Sequence, residues 1–208
     1  MELIPESADL KEYLKPTNVI DYDNYAIKNV ADRLAYGKLT DIEIAKEIYE
    51  FVRDNISNSG DINANEVTCT ASEVLTKNHG ICCAKSHLLA ALLRYKGIPT
   101  GFCYQKLYSV DNKIPYIAIH GLNAIYLSSI NKWIRLDARG NKEGINAEFS
   151  ISNEKIAWPI KKELGEKDIP IIYVKPNAQI VSALTSCTDR DHLHLLWKAE
   201  IQHIFNKY

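Results

Sequence analysis

Residues 80–99 read GICCAKSHLLAALLRYKGIP, and this stretch decides the fold. It predicts a helix from about Cys82 to Lys96 with a broad apolar face, because leucine and alanine recur through its second half. Gly97 and Pro99 end the helix, since glycine permits a left-handed cap and proline cannot continue a helix. This long predicted helix therefore begins at a cysteine.

Two capping boxes upstream of this stretch predict where two earlier helices begin. Thr40 and Glu43 form the first box, and Thr70 and Glu73 form the second. In such a box each side chain accepts a hydrogen bond from the backbone N–H of the other residue, which satisfies two free amides at the helix start. A further helix is predicted after Asp23, which we expect to cap it.

Three strands are predicted after Pro99, where aromatic and apolar residues alternate with polar ones. They cover residues 101–108, 116–127 and 133–137, and the loop Asp111–Lys113 joins the first two. Such short connections favour an antiparallel meander. Helices followed by strands predict an α+β fold with segregated elements. Beyond them we expect a strand at 171–174 and helices near 178–186 and 189–204.

Length and composition limit the classes of protein to consider. The chain has 208 residues, of which 46% are hydrophobic, and a net charge of −1. We expect one domain over residues 1–208, with a motif core at about residues 66–142. The near-neutral charge argues against a nucleic-acid partner, which would need a basic excess. Because no run of about 18 apolar residues and no basic, apolar leader is present, we expect a cytoplasmic protein without a membrane partner.

The cysteines are expected to be free thiols. Their number is odd and their spacing follows no disulfide framework, so each is either a small buried hydrophobe or a reactive group. Cys69 and Cys103 are interpreted as core residues. The other three are Cys82, Cys83 and Cys187.

Cys82 is the candidate nucleophile because it stands at the predicted start of the long helix. The helix dipole and the free N–H groups of the first turn favour a thiolate there, and the same groups can donate to an oxyanion. Gly80 gives the backbone freedom to turn into the helix. Cys83 is the rival, but a helix turns by about 100° per residue, so both thiols cannot face one cleft. We expect Cys83 to pack inward.

The predicted strands supply a base and an acid for this thiol. His120 lies in the second strand, and Asp137 ends the third. Neighbouring antiparallel strands can hold the two side chains together, facing the helix terminus, as nucleophile, base and orienting acid. The alternatives are a core histidine at His120 and a turn-forming aspartate at Asp137.

Several runs of the sequence resemble the core of the transglutaminase-like superfamily. The first part of the resemblance consists of three nearby runs. They are residues 70–75, the Gly-Ile-Cys of 80–82, and the helical residues from 88 that end in the Gly-Ile-Pro of 97–99. Residues 120–124 then resemble the family's histidine strand, and residues 133–137 resemble its aspartate strand. The resemblance implies a papain-like fold, with a helical N-terminal half and the catalytic cysteine at a helix N-terminus packed on an antiparallel sheet.

The resemblance also implies a chemistry. It assigns the catalytic roles to Cys82, His120 and Asp137, which would form a thioester from a glutamine side chain or a peptide or amide bond of a protein or peptide substrate. Water or an amine would then resolve the thioester, and no cofactor is implied. The run 82–87 resembles an uncharacterised bacterial subgroup, in which Cys83 stands where many relatives have an acidic residue. A non-catalytic binding module on the same scaffold is the alternative.

Four more polar residues are candidates for contacts with substrate. Gln105 and Asn123 lie within strands, where each could face substrate or donate to an oxyanion, or could simply face outward. Arg139 follows the aspartate strand and could bind a substrate carboxylate or form a surface ion pair. His87 could flank the cleft or pack in the core.

A zinc site is the alternative for the segment around the candidate nucleophile. His79, Cys82, Cys83 and His87 lie within nine positions, and all four are zinc-binding residue types. The two histidines, however, would lie on opposite sides of the break before the helix, and the spacing matches no zinc motif. We therefore predict no metal site.

Overall fold

The computed structural model describes residues 1–111 and 113–206, so Asn112 of the predicted loop Asp111–Lys113 lies outside the described residues. The α-helices are α1 (Tyr25–Ala35), α2 (Asp41–Asn55), α3 (Ala71–Lys77), α4 (Cys82–Tyr95), α5 (Ala178–Ser186) and α6 (Arg190–Ala199). The strands are β1 (Ile4–Pro5), β2 (Ser57–Asn58), β3 (His79–Gly80), β4 (Thr100–Asp111), β5 (Ile114–Leu127), β6 (Lys132–Leu136), β7 (Lys167–Asp168) and β8 (Ile171–Ile172). Short 3-10 helices cover Leu10–Leu14, Lys162–Leu164 and Ile201–His203.

The main sheet has the strand order β6-β5-β4-β7, and every neighbouring pair is antiparallel. Its register sets Gln105 opposite His120 and Asn123 opposite Leu136. Three consecutive strands form a meander, preceded by four helices. This arrangement confirms the predicted α+β class.

Helix α4 lies at the centre of the molecule. Every residue from Cys83 to Arg94 is buried, which is typical of a helix that is packed on all sides. One side of α4 contacts β5, and the others contact α1, α2 and α3. The opposite face of the sheet has a smaller core of its own, which contains Cys103 and Leu122.

Local capping chemistry explains where the helices begin. Both capping boxes form as predicted, at the starts of α2 and α3. The prediction for α1 was wrong by one residue, because the side chain of Asn24 rather than that of Asp23 accepts the hydrogen bond from Ala26 N. Asn78, whose φ of 58° is left-handed, caps the C-terminus of α3, and the next two residues form β3 beside β2.

The helix predicted near 178–186 is confirmed by α5, but the other two predicted C-terminal elements are longer than those observed. The strand expected at 171–174 covers only Ile171 and Ile172, which pair with the short strand β1, and Tyr173 continues it as a single bridge to Phe102 of β4. The helix expected over 189–204 stops at Ala199 and continues as the 3-10 turn Ile201–His203. Within residues 1–111 and 113–206, no helix combines the length and apolarity that crossing a membrane would require.

Candidate active site

Cys82 is the first residue of α4 and is partly exposed. The residue before it, Ile81, caps the helix without a side-chain hydrogen bond. The helix ladder begins with the bond from Lys85 N to Ile81 O. The amides of the first turn therefore have no capping side chain, and they point to the end of the helix where the thiol lies.

His120 on β5 and Asp137 lie side by side, as the sequence predicted, although Asp137 directly follows β6 rather than ending it. His120 Nε2 is 2.8 Å from Asp137 Oδ2, and the two side chains are 3% and 0% exposed. The carboxylate also accepts backbone N–H bonds from Ala157 to Oδ2 (3.0 Å) and from Arg139 to Oδ1 (3.1 Å). Because three donors hold it, the carboxylate is fixed and in turn fixes the imidazole, which leaves Nδ1 for the thiol.

The electrostatics of these groups favour a thiolate beside an imidazolium. A hydrogen bond from Cys83 is the largest influence that lowers the pKa of Cys82 well below its ordinary value; burial opposes it, and the charge of His120 supports it. Burial would lower the pKa of His120, but Asp137 and Cys82 outweigh it and raise that pKa to about 10. Burial would raise the pKa of Asp137, but His120 keeps it lowered.

Cys83 packs inward, which confirms the expectation from helix geometry. It is 1% exposed, and its sulfur lies 4.0 Å from that of Cys82. The hydrogen bond to Cys82 and burial both raise its pKa well above the ordinary value, so Cys83 is the protonated donor of the pair. Its side chain lies against Gly121 of β5, where an added Cβ would come within 2.7 Å of the Cys83 sulfur.

Trp158 covers the histidine, a role that its sequence context does not predict. Its ring meets that of His120 edge-on, with the centroids 4.7 Å apart. The guanidinium of Arg139 lies 5.3 Å from the centroid of the same indole. The tryptophan thus separates the imidazole from water. Residues 150–165 mix polar with apolar residues and follow no helix or strand period, so no local signal distinguishes this tryptophan.

Gln105 and Asn123 are neither outward-facing nor free to meet substrate. Gln105 is fully buried and donates through Nε2 to Trp158 O (3.2 Å) and Asp168 Oδ1 (3.0 Å). Asn123 is 1% exposed and donates through Nδ2 to Ser86 O, at 3.2 Å. Both side-chain NH₂ groups donate to other groups of the protein. Gln105 thereby joins β4 to the segment of Trp158 and to β7, and Asn123 joins β5 to α4.

Arg139 and His87 are also engaged within the protein. Arg139 binds both carboxylate oxygens of Asp61, at 2.5 and 2.8 Å, so the guanidinium fork expected for a substrate carboxylate is occupied. His87 is 1% exposed, and its Nδ1 lies 2.7 Å from Cys69 O. Burial lowers its pKa to about 4, which makes it a neutral core residue.

The side chains weighed as zinc ligands do not converge. His79 Nδ1 lies 3.0 Å from Ser59 Oγ, and His87 contacts Cys69 O instead. In the part of the chain that the structure describes, no three histidine, cysteine, aspartate or glutamate side chains are grouped as metal ligands would be.

Two clefts open beside Cys82, and Ala118 and Ile119 of β5 line both. The larger cleft, of about 500 Å³, has His120 and Trp158 on its wall. The smaller cleft, of about 210 Å³, lies towards α6. A partly exposed thiol between two clefts is placed where an extended substrate can reach it from both sides.

A sequence model of the transglutaminase-like superfamily matches residues 28–138, which is just over half of the chain. The chain belongs to the transglutaminase-like superfamily. The matched region contains Cys82, His120 and Asp137, and the membership confirms the resemblance seen in the sequence. No curated protein matches this transglutaminase-like chain.

Solved structures similar to this transglutaminase-like chain include three bacterial proteins. A candidate cysteine protease from Cytophaga hutchinsonii is 22% identical, over 66% of this chain and 45% of that one, with a TM-score of 0.49. A candidate protease from Parabacteroides distasonis is 15% identical, over 73% of this chain and 30% of that one (TM-score 0.40). The periplasmic domain of TgpA from Pseudomonas aeruginosa is 14% identical, over 64% and 48% of the two chains (TM-score 0.47). This chain therefore spans less than half of each.

Proposed function

We propose that the protein is a thiol-dependent acyl-transfer enzyme in which Cys82 attacks, His120 moves the proton and Asp137 orients the imidazole. The observation that carries the proposal is the contact of a partly exposed thiol with a histidine whose other nitrogen lies 2.8 Å from a buried carboxylate. Family membership supports it, because the superfamily includes papain-like thiol enzymes.

The first half of the reaction forms a thioester. The Cys82 thiolate attacks the carbonyl carbon of a glutamine side-chain amide or a peptide bond, and the first-turn amides of α4 donate to the oxyanion. The imidazolium of His120 gives its proton to the leaving nitrogen. The C–N bond breaks, ammonia or an amine leaves, and the acyl group remains on sulfur.

The second half releases the acyl group. Neutral His120 takes a proton from water or from a primary amine, whose oxygen or nitrogen attacks the thioester carbon. The C–S bond breaks, and the product is a carboxylic acid after attack by water or a new amide after attack by an amine. Cys82 returns as a thiolate and His120 as an imidazolium, so the cycle closes without a cofactor.

The test is a screen of glutamine-containing peptides with and without a fluorescent primary amine, run beside Cys82→Ala. Ammonia release alone identifies a hydrolase of side-chain amides, new peptide termini identify a protease, and incorporated fluorescence identifies a transamidase. Equal signals from the wild-type protein and Cys82→Ala would contradict the proposed mechanism.

A further inference from the structure

The smaller cleft beside Cys82 is walled by a segment that lies beyond residue 138, where the family match ends. Helix α6 supplies Arg190, Leu193, His194 and Trp197 to this wall. The cleft therefore combines the reactive thiol with side chains that the family core does not contain, and such side chains are suited to choosing a substrate.

Arg190 is the charged residue of this wall, and it is bound by neutral groups. Its Nη1 donates to Ser59 O at 3.2 Å, and its Nη2 lies 3.5 Å from Asn63 Oδ1. No carboxylate of the described residues forms an ion pair with it. Arg190 is also the first residue of α6, where a cation opposes the helix dipole. Its position there is unfavourable for the isolated helix.

The acidic residues nearest to Arg190 in sequence face away from the lining of the cleft or are otherwise engaged. Asp189 caps α6 by accepting a hydrogen bond from His192 N at 2.8 Å, and Asp191 is exposed. Neither lines the cleft, and its other lining residues are uncharged or histidine. The larger cleft differs, because Lys161 and Glu166 both line it. With one positively charged residue in its lining, the smaller cleft favours a ligand group that carries one negative charge.

We propose that the smaller cleft binds the carboxylate of an acidic side chain, so that the enzyme selects peptide substrates with a glutamate or aspartate next to the reacting carbonyl. Ser59 and Asn63 take two of the five N–H groups of the Arg190 guanidinium, and the other three can donate to a carboxylate. Leu193 and Trp197 of the same wall would pack against the alkyl stem. The volume of about 210 Å³ suits one side chain rather than a folded partner. The inference rests on the proposed function, because it deepens the choice of substrate at the same thiol.

The experiment compares two alkylating reagents of nearly equal size, iodoacetate and iodoacetamide, which differ in carrying a carboxylate or an amide. The rate of modification of Cys82 by each is measured by mass spectrometry for the wild type, Arg190→Gln and Arg33→Gln. We expect Arg190→Gln to lower the iodoacetate-to-iodoacetamide rate ratio by about fivefold while the iodoacetamide rate stays within about twofold. Arg33→Gln removes the same charge from an exposed position on α1 and should leave the ratio unchanged.

Two further measurements test the carboxylate site separately from the proposed catalytic function. Arg190→Lys keeps the charge and should retain part of the preference. Calorimetric titration of Cys82→Ala with the α-amides of N-acetylglutamate and N-acetylglutamine, which differ only in the side-chain carboxylate, needs no reactive thiol. We expect the glutamate derivative to bind about fivefold more tightly through Arg190. Equal ratios in the wild type and Arg190→Gln, or equal binding of the two amino acids, would overturn the inference. If Cys82 reacts no faster than free cysteine, the proposed function is overturned instead. The titration would then still show whether the smaller cleft binds a carboxylate.

Discussion

Cys83 faces away from the clefts and yet acts on the thiol that faces them. Its sulfur is 4.0 Å from that of Cys82, and burial keeps it protonated, so it can donate to the neighbouring thiolate. Gly121 makes this packing possible, since its missing side chain leaves room for the Cys83 sulfur. The pKa values of two adjacent cysteines thus shift in opposite directions. The hydrogen bond to Cys82 and burial raise that of Cys83, whereas the hydrogen bond from Cys83 and the charge of His120 lower that of Cys82.

The first prediction concerns the pH dependence of Cys82 alkylation. Because the pKa of the thiol is lowered, the thiolate persists as the pH falls below the usual range for a thiol, and the imidazolium persists until the pH rises through about 10. At pH 6 we expect iodoacetamide to modify Cys82 at least tenfold faster than free glutathione, with Cys82→Ala as the control for other sites. A rate equal to that of glutathione at pH 6 would favour a non-catalytic binding module.

The second prediction concerns Cys83. Replacing Cys83 by alanine removes the sulfur donor, so the midpoint of the pH–rate profile for Cys82 alkylation should move to higher pH. Cys103→Ala is the matched control, since Cys103 is an equally buried thiol on the other face of the sheet. If the two variants share the wild-type midpoint, the sulfur–sulfur hydrogen bond does not tune the nucleophile.

The third prediction concerns Asp137. Each of its carboxylate oxygens accepts a backbone N–H, from Arg139 and from Ala157. An asparagine must therefore turn its NH₂ group towards one of these N–H groups, and it cannot satisfy all three donors. We expect Asp137→Asn to lower kcat/KM by about 10²- to 10⁴-fold, measured on whichever peptide the screen identifies. Activity within threefold of wild type in a folded variant would refute the orienting role.

At the scale of elements, a buried lysine joins α4 to its surroundings. The ammonium of Lys85, one turn after Cys82, donates to the carbonyl oxygens of Arg53 and Ile56 at the end of α2 and to that of Arg139 after β6. Burial lowers its pKa to about 7. Three chain segments therefore meet at one side chain, directly behind the proposed catalytic groups.

The fourth prediction tests this junction. Lys85→Met keeps an unbranched side chain only one atom shorter but removes the donors, which leaves buried carbonyls without partners. We expect the free energy of unfolding to fall by about 2 kcal/mol or more, measured by urea denaturation. Lys46→Met, at an exposed position on α2, should change it by less than about 0.5 kcal/mol. Similar small effects from both variants would show that the lysine is not a structural junction.

Elements with a local signal could be predicted from the sequence, and those without one could not. The capping boxes and the stop at Gly97 depend only on residues a few positions apart in sequence. The predicted ends of α2, α3 and α4 therefore lie close to the observed ones. The two-residue strands β2 and β3 depend on the approach of distant segments, which no local pattern reports.

The same distinction applies to the site. Cys82, His120 and Asp137 stand in runs that the family resemblance identifies. The partners that complete their surroundings, Ala157 and Trp158, come from an irregular segment whose path is set by tertiary packing. The Lys85 junction was missed as well, because a lysine in a helix is ordinarily taken for a solvent-exposed residue.

At the scale of the whole molecule, Arg135 attaches the segment after residue 138 to the sheet. Its side chain is 2% exposed and binds Glu154 through Nε at 2.6 Å and Asp168 through Nη1 at 2.6 Å. These pairs hold the stretch that brings Trp158 over the histidine. The arginine therefore lies on β6 but fixes a wall of the larger cleft.

The fifth prediction concerns this attachment. Arg135→Met leaves Asp168 and Glu154 without their shared cation, and we expect the free energy of unfolding to fall by about 3 kcal/mol. Glu154→Gln is the matched control; because that carboxylate is 43% exposed, its loss should cost about 1 kcal/mol or less. Equal costs in urea denaturation would show that the buried arginine contributes no more than a surface pair.

The hydrogen bond from Ala157 N to Asp137 has a consequence for biosynthesis. Chains are made from the N-terminus, so the thiol of Cys82 leaves the ribosome well before the amide of residue 157 and the ring of Trp158. A growing chain that has reached Asp137 carries the nucleophile, the base and the acid, but not the groups that fix the acid and cover the base. The order of synthesis thus delays a fully assembled nucleophile until the later segment has emerged and folded back.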